Sequence, residues 1–450
     1  MTDDTKSTGT LDIWVAGTEE PQFSATDEGA QEISDHESDA RLDEQFGRVV
    51  DDDYVFDDEV GDDDERMILN MGPQHPSTHG VLRLQIELEG EIIRRTKPII
   101  GYLHTGMEKT AEQLAFSQGG TNVTRMDYLA PFHNELAHAL AVERLLGIEV
   151  PPRAAAIRVL LTELNRCSSH LVALATNGMD IGAVSMMIYG FRERESILAF
   201  FEKATGLRMN HNYIRPGGVA ADLPPGWKDD VAAILEDIPR RLRLYDDLLK
   251  DNPIWIARTQ GVGVIEPEEA IALSITGPAL RATGIDWDIR KAFPYSGIDQ
   301  YEFDVVVGAR GDVYDRYQVK IGEIRESLKI ATQVMETMPR GDYRVDDAKI
   351  TPPPRARIDE SMEALIHHFK LFTEGFKVTA GETYVAVESP RGELGCYLVS
   401  DGGAKPYRMH TRAPSFYNLQ ALPVAMGDSL VADTIATIAS MDPVMGDVDR

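Results

Sequence analysis

The chain has 450 residues, 43% of them hydrophobic, and a formal net charge of −29. That apolar content suffices for a buried core, no uninterrupted apolar run reaches the ~18 residues of a transmembrane helix, and so acidic a polymer is a poor partner for nucleic acid. Only two cysteines occur, Cys167 and Cys396, with no C-x-x-C, which excludes a disulfide framework and leaves too few thiolates for an iron–sulfur cluster held by this chain alone.

The charge is unevenly placed. Residues 1–64 carry 22 acidic and 3 basic side chains, a balance of −19, leaving −10 for residues 65–450. Stretches such as "DDDYVFDDEVGDDDE" are too charged and too poor in periodic apolar residues to fold alone. Residues 1–64 therefore read as a disordered acidic arm, with Trp14, Phe23, Tyr54 and Phe56 as apolar anchors for docking. The opening "MTDDTKSTGT" lacks the basic and apolar regions of a secretory leader, so a cytoplasmic location is expected.

Residues 65–107 alternate apolar and polar around Gly and Pro and read as a small N-terminal β unit. Its loop "NMGPQHPSTHG" places His75 and His79 four residues apart. Pro73 and Pro76 disfavour a helix through both rings, and no thiolate or acid lies near in sequence, so a metal site is weakly supported. Two readings stay open. The histidines can be hydrogen-bonding loop residues, or one can face a cavity and transfer protons near neutral pH.

Helical periodicity then takes over. Segments 134–148, 151–178, 186–206 and 224–252 predict a helical bundle over roughly residues 108–252. The second begins at Pro151-Pro152 and ends near Asn177-Gly178, as helix termini favour. Residues 253–320 are mixed; "VGARGD" fits neither the Walker nor the dinucleotide spacing. Residues 311–338 and 357–375 return to helix. Residues 383–402 alternate, with turns at Arg391-Gly392 and Asp401-Gly402, and predict a β-hairpin. The division is thus 1–64, 65–107 and a helical core with C-terminal β elements over 108–450, an α+β fold.

"NMGPQHPSTHGVLRL", "IGYLHTGMEK", "TRMDYLAPFHNE", "YIRPGGVAADLP", "SMEALIHHFKLFTEG", "SPRGELGCYLVSDG" and "DPVMGDVDR" closely resemble the D subunit of respiratory complex I, the proton-pumping NADH:quinone oxidoreductase. The resemblance covers residues 67–450. That family is related to the large subunit of nickel–iron hydrogenases, whose fold it implies. Hydrogenases hold nickel through two C-x-x-C pairs; the equivalent segments, "TRMDYLAPFHN" and "DPVMGDVDR", have no cysteine, so nickel chemistry is lost.

The resemblance implies a peripheral protein on the cytoplasmic face of the cell membrane. Its implied partners are the iron–sulfur B subunit, the C and I subunits, and the membrane-embedded H subunit. Electrons would reach a quinone from a cluster in the iron–sulfur partner. By the same resemblance His79 and Tyr128 hold the quinone head, Asp180 pairs with His79, Arg125 lies near the partner's cluster, and His75 shapes the quinone loop. Two departures stand out. Thr105 and Asn210 occupy positions where many members carry arginine and histidine, and their loss suits a low-potential quinone such as menaquinone. Two rival expectations are a scaffold whose pocket does no chemistry and a quinone module fed by ferredoxin or a deazaflavin.

Overall fold

The computed structural model describes residues 66–75 and 79–450. The acidic segment 1–64 lies outside them, as do residues 76–78 of the histidine loop. Strands β1 (Arg66–Met71), β2 (Arg83–Glu89) and β3 (Ile92–Ile99) form an antiparallel sheet in that order. Leu84, Ile86 and Leu88 alternate along β2 and are buried, the period-two signature of a strand with one covered face. That face packs on Leu422, Met426, Ile438, Met441 and Met445. The beginning and end of the folded region therefore share one core.

The long helices are α1 (Pro131–Leu146), α2 (Pro152–Asp180), α3 (Val184–Thr205), α4 (Trp227–Tyr245), α5 (Val313–Thr337), α6 (Met362–Thr373), α7 (Thr434–Met441) and the short α8 (Met445–Asp449). Their ends follow ordinary capping chemistry. Pro131 and Pro152 stand at first helical positions, where a missing N–H costs nothing. Gly147 and Gly206 close α1 and α3 in the left-handed region. Asp312 caps α5 by accepting from the Asp315 N–H. Among the described residues no helix is long and apolar enough to cross a membrane.

Helix α2 is the axis of the molecule. It runs 29 residues, about 43 Å at 1.5 Å per residue, and is buried on nearly every side. Helix α3 lies against it so closely that a Cβ on Gly190 would sit 2.7 Å from Ala175 Cβ. The bundle expected over residues 108–252 extends further than its sequence pattern suggests: α5, far along the chain, packs along α2 as well. Periodicity identifies a helix but not which face of α2 receives it. The short strands β4 (Ile214–Arg215) and β5 (Gly218–Val219) pair with each other, and at the C-terminal side β6 (Gly381–Ser389), β7 (Gly392–Ser400) and β8 (Arg408–Arg412) form another antiparallel sheet. The predicted hairpin is its first two strands.

The contact between α2 and α5 is not purely apolar. Arg281 bonds Glu323 on α5 and Glu388 on β6, each at 2.7 Å. Arg290 joins Asp288 at 2.6 Å and Glu163 on α2 at 3.1 Å. His170 Nε2 lies 2.8 Å from Glu323 Oε2. Burial pushes the Glu163 carboxyl up, but Arg166 and Arg290 more than offset it and hold it below the usual carboxylate range. Opposite charges within bonding distance offset the cost of burying these ions. Replacing Arg281 with leucine leaves Glu323 and Glu388 without their shared cation. Arg281→Leu is expected to destabilise the fold by about 3–5 kcal/mol, read as a lower urea midpoint for the purified chain.

Candidate functional site

Two distant segments meet beside α2. The first is the turn from Thr124 to Ala130, joining the short helix Gly119–Val123 to α1. The second runs from the end of α7 through α8. A Cβ on Gly446 would lie 2.4 Å from the Met126 carbonyl oxygen and 3.3 Å from Tyr128 Cδ1. Only glycine permits this approach. The two segments are joined by ions.

The joining cation is Arg391, in the turn between β6 and β7. Its Nη1 donates to Asp127 Oδ2 at 2.8 Å and to Ser169 Oγ on α2 at 3.0 Å. Its Nε donates to the Asp442 carbonyl at 2.9 Å, and Nη2 lies 3.1 Å from Asp442 Oδ2. Asp127 Oδ1 accepts from the Leu129 and Ala130 N–H groups, fixing the turn that carries Tyr128. Lys320 on α5 reaches the same region and donates to the Ser440 carbonyl at 2.8 Å. Burial pushes its ammonium down to about 8, against the attraction of Asp442.

His79 and Tyr128 come under this one group of charges. His79 sits half-buried in a turn at φ 51, the left-handed region that few non-glycine residues adopt. Burial lowers its pKa; Asp442 works the other way, and Arg391 and Lys320 add to the lowering. The ring is therefore neutral at pH 7, with one donor and one acceptor nitrogen. Burial raises the Tyr128 pKa, opposed by Arg391 and assisted by Asp127 and Asp442. Its phenol remains a donor. The half-buried His75 precedes the undescribed residues 76–78.

Asp180 is the last residue of α2, half-buried, and pushed up to about 6 by burial alone. The charged groups acting on His79 are Asp442, Arg391 and Lys320, and Asp180 is not among them. Sequence reasoning misses Asp442 because it reads only as part of a segment without cysteine, and misses Arg391 because it reads only as a turn residue. Arg125, by contrast, is exposed, beside the Gly446 contact, and its side chain makes no ion pair among the described residues. His211 does not stand in for the absent histidine at 210. It stacks on Phe132 at 4.0 Å, is pushed down to about 4 by burial, and meets the Arg208 carbonyl.

The raised Asp180 pKa has a stability consequence. The native state holds this proton more tightly than the unfolded chain does, so its contribution is lost as pH rises from about 4 through about 6. Asp180→Asn is expected to raise the thermal midpoint relative to the parent above pH 6, with the difference vanishing near pH 4. A difference that is independent of pH would contradict the assignment.

Known proteins resemble this chain over most of its length. A family model for the 49 kDa subunit of respiratory-chain NADH dehydrogenase matches residues 180–450. The NADH-quinone oxidoreductase D subunit of Mycolicibacterium smegmatis is 55% identical over 404 residues, covering 86% of this chain and 91% of its own length. The corresponding D 2 subunit of Roseiflexus sp. is 56% identical over 389 residues, covering 86% of this chain and 93% of itself. The D 1 subunit of Salinispora arenicola is 55% identical over 405 residues, with 86% and 92% covered. This chain belongs to the 49 kDa subunit family of respiratory-chain NADH dehydrogenase.

Proposed function

We propose that this chain forms the quinone-binding and quinone-reducing wall of a proton-pumping NADH:quinone oxidoreductase. It is active only within the complex, peripherally on the cytoplasmic face of the membrane, against the B, C, I and H subunits. The observation that carries the reading is the convergence of His79 and Tyr128 on one buried ion group, Asp127–Arg391–Asp442. A quinone head accepts two electrons and two protons. The Tyr128 phenol and the His79 ring are hydrogen-bond donors suited to its two carbonyl oxygens. Negative charge arriving there raises the proton affinity of His79 and is met by the Arg391 guanidinium. Asp180, with its carboxyl near 6, is in this reading the carboxylate that the family resemblance pairs with His79, orienting the ring and raising its proton affinity. The exposed Arg125 faces the partner's iron–sulfur cluster in this reading, and His75 shapes the quinone loop.

The test is NADH-driven quinone reduction in membranes carrying Tyr128→Phe, with assembly checked on a native gel. Activity is expected to fall by about 10²-fold, the usual worth of a positioned proton donor, with the complex intact. Full activity in an intact complex would remove Tyr128 from the mechanism and favour a scaffold role.

Menaquinone is the favoured acceptor. Asn210 does not titrate, and His211 is stacked, buried and neutral in the physiological range. The partner cluster's potential is therefore expected to be low and unchanged between pH 6 and pH 8 in a redox titration of the purified complex. A high potential falling with pH would contradict this.

A further inference from the structure

Helix α6 is apolar on two opposite sides. Ala364 and Leu371 face the protein and are buried. Met362, Leu365, Ile366, Phe369 and Phe372 are exposed, with Met362 at 72%, Phe369 at 64% and Phe372 at 60%. At about 100° per residue these five fall within a stripe about 120° wide, opposite the buried pair. A surface helix normally needs one apolar face. A second one, rich in Met and Phe, has the composition of an interface core.

The stripe runs into a cavity of about 220 Å³ lined by Phe372, Phe376, Ile350, Asn212, Arg215 and Arg344. Arg215 donates to the Asn212 carbonyl at 3.0 Å, and Arg344 lies over the Tyr343 ring. Neither guanidinium has a carboxylate within ion-pair distance among the described residues. Two guanidinium groups and an apolar wall fit a carboxylate carried next to apolar side chains.

We propose that the outer face of α6 and this cavity together dock a segment of another subunit, one presenting an apolar face with an Asp or Glu at the end that enters the cavity. A bilayer fits less well, because exposed charges of both signs bracket the stripe, Asp359, Glu360, Glu363 and Glu374 beside Arg355, Arg357 and Lys370, where anionic lipid calls for a cationic border. A second copy of this chain fits less well too, because a symmetric contact brings Arg215 and Arg344 toward their own counterparts. The inference rests on the chain's membership of a subunit family and not on the quinone chemistry.

The test places a photo-crosslinking amino acid at Ile366 or Phe369 in the assembled, membrane-extracted complex and identifies the products by mass spectrometry. Both positions are exposed in the chain, so the substitutions leave its fold intact. The expected product joins one partner subunit, at apolar residues within two helical turns of an acidic one. Arg344→Glu is expected to cut that product by about tenfold, and reversing the partner's acid to lysine to restore it. Crosslinks to lipid, to a second copy of this chain or to nothing would overturn the proposal. Turnover by the same complexes is a separate readout: a correct crosslink alongside undiminished Tyr128→Phe activity would reject the quinone reading alone.

Discussion

The arginine between β6 and β7 holds the site together. Arg391 is almost fully buried and bonds at once to the turn before α1, to the middle of α2 and to the residue that ends α7. Each of these elements carries something that the others need. The turn carries Tyr128, α7 ends at Asp442, and Asp442 acts on His79. Remove the guanidinium and two buried carboxylates, Asp127 and Asp442, are left close together with less cation between them. Their repulsion in a low-dielectric interior would separate the segments that Gly446 holds in contact.

Below this joint lies a second layer of ions. Glu163, His170, Arg281, Asp288, Arg290, Glu323 and Glu388 lie in the interior between α2, α5 and β6. Apolar packing alone would hold these elements together, and a matched ion pair adds little net stability over a hydrophobic replacement. What the ions add is a fixed field. The protonation of His79 and Tyr128 is set by burial and by a few nearest ions. That is why the imidazole is neutral while the phenol keeps its proton.

Much of the fold is legible in the sequence because the relevant signals are local. The Pro151-Pro152 pair marks α2, terminal glycines mark α1 and α3, and strict alternation marks β2. The extent of the helical core is less legible, because the packing of α5 on α2 joins segments more than a hundred residues apart. At the site, His79 and Tyr128 are found through resemblance, and Arg391 and Asp442 act on both. Arg391 and Asp442 escape notice for a physical reason. An arginine before glycine in a hairpin looks like a solvated turn, and an aspartate before proline looks like a helix stop. Only the burial of that turn beneath α7 makes them a pair. For Asp180 the resemblance points to a partner of His79, whereas in this conformation burial alone governs its carboxyl.

The buried ion lattice also bears on how the interior responds to sudden charge. Water answers a new charge by turning its dipoles, and a solvated site must rearrange that shell each time an electron comes or goes. Around Tyr128 the nearest groups are guanidinium and carboxylate ions already fixed by two or more hydrogen bonds, as Arg391 and Asp127 are. They can polarise but have little freedom to rotate. The outer-sphere reorganisation that these fixed ions contribute when a charge appears beside Tyr128 is therefore small.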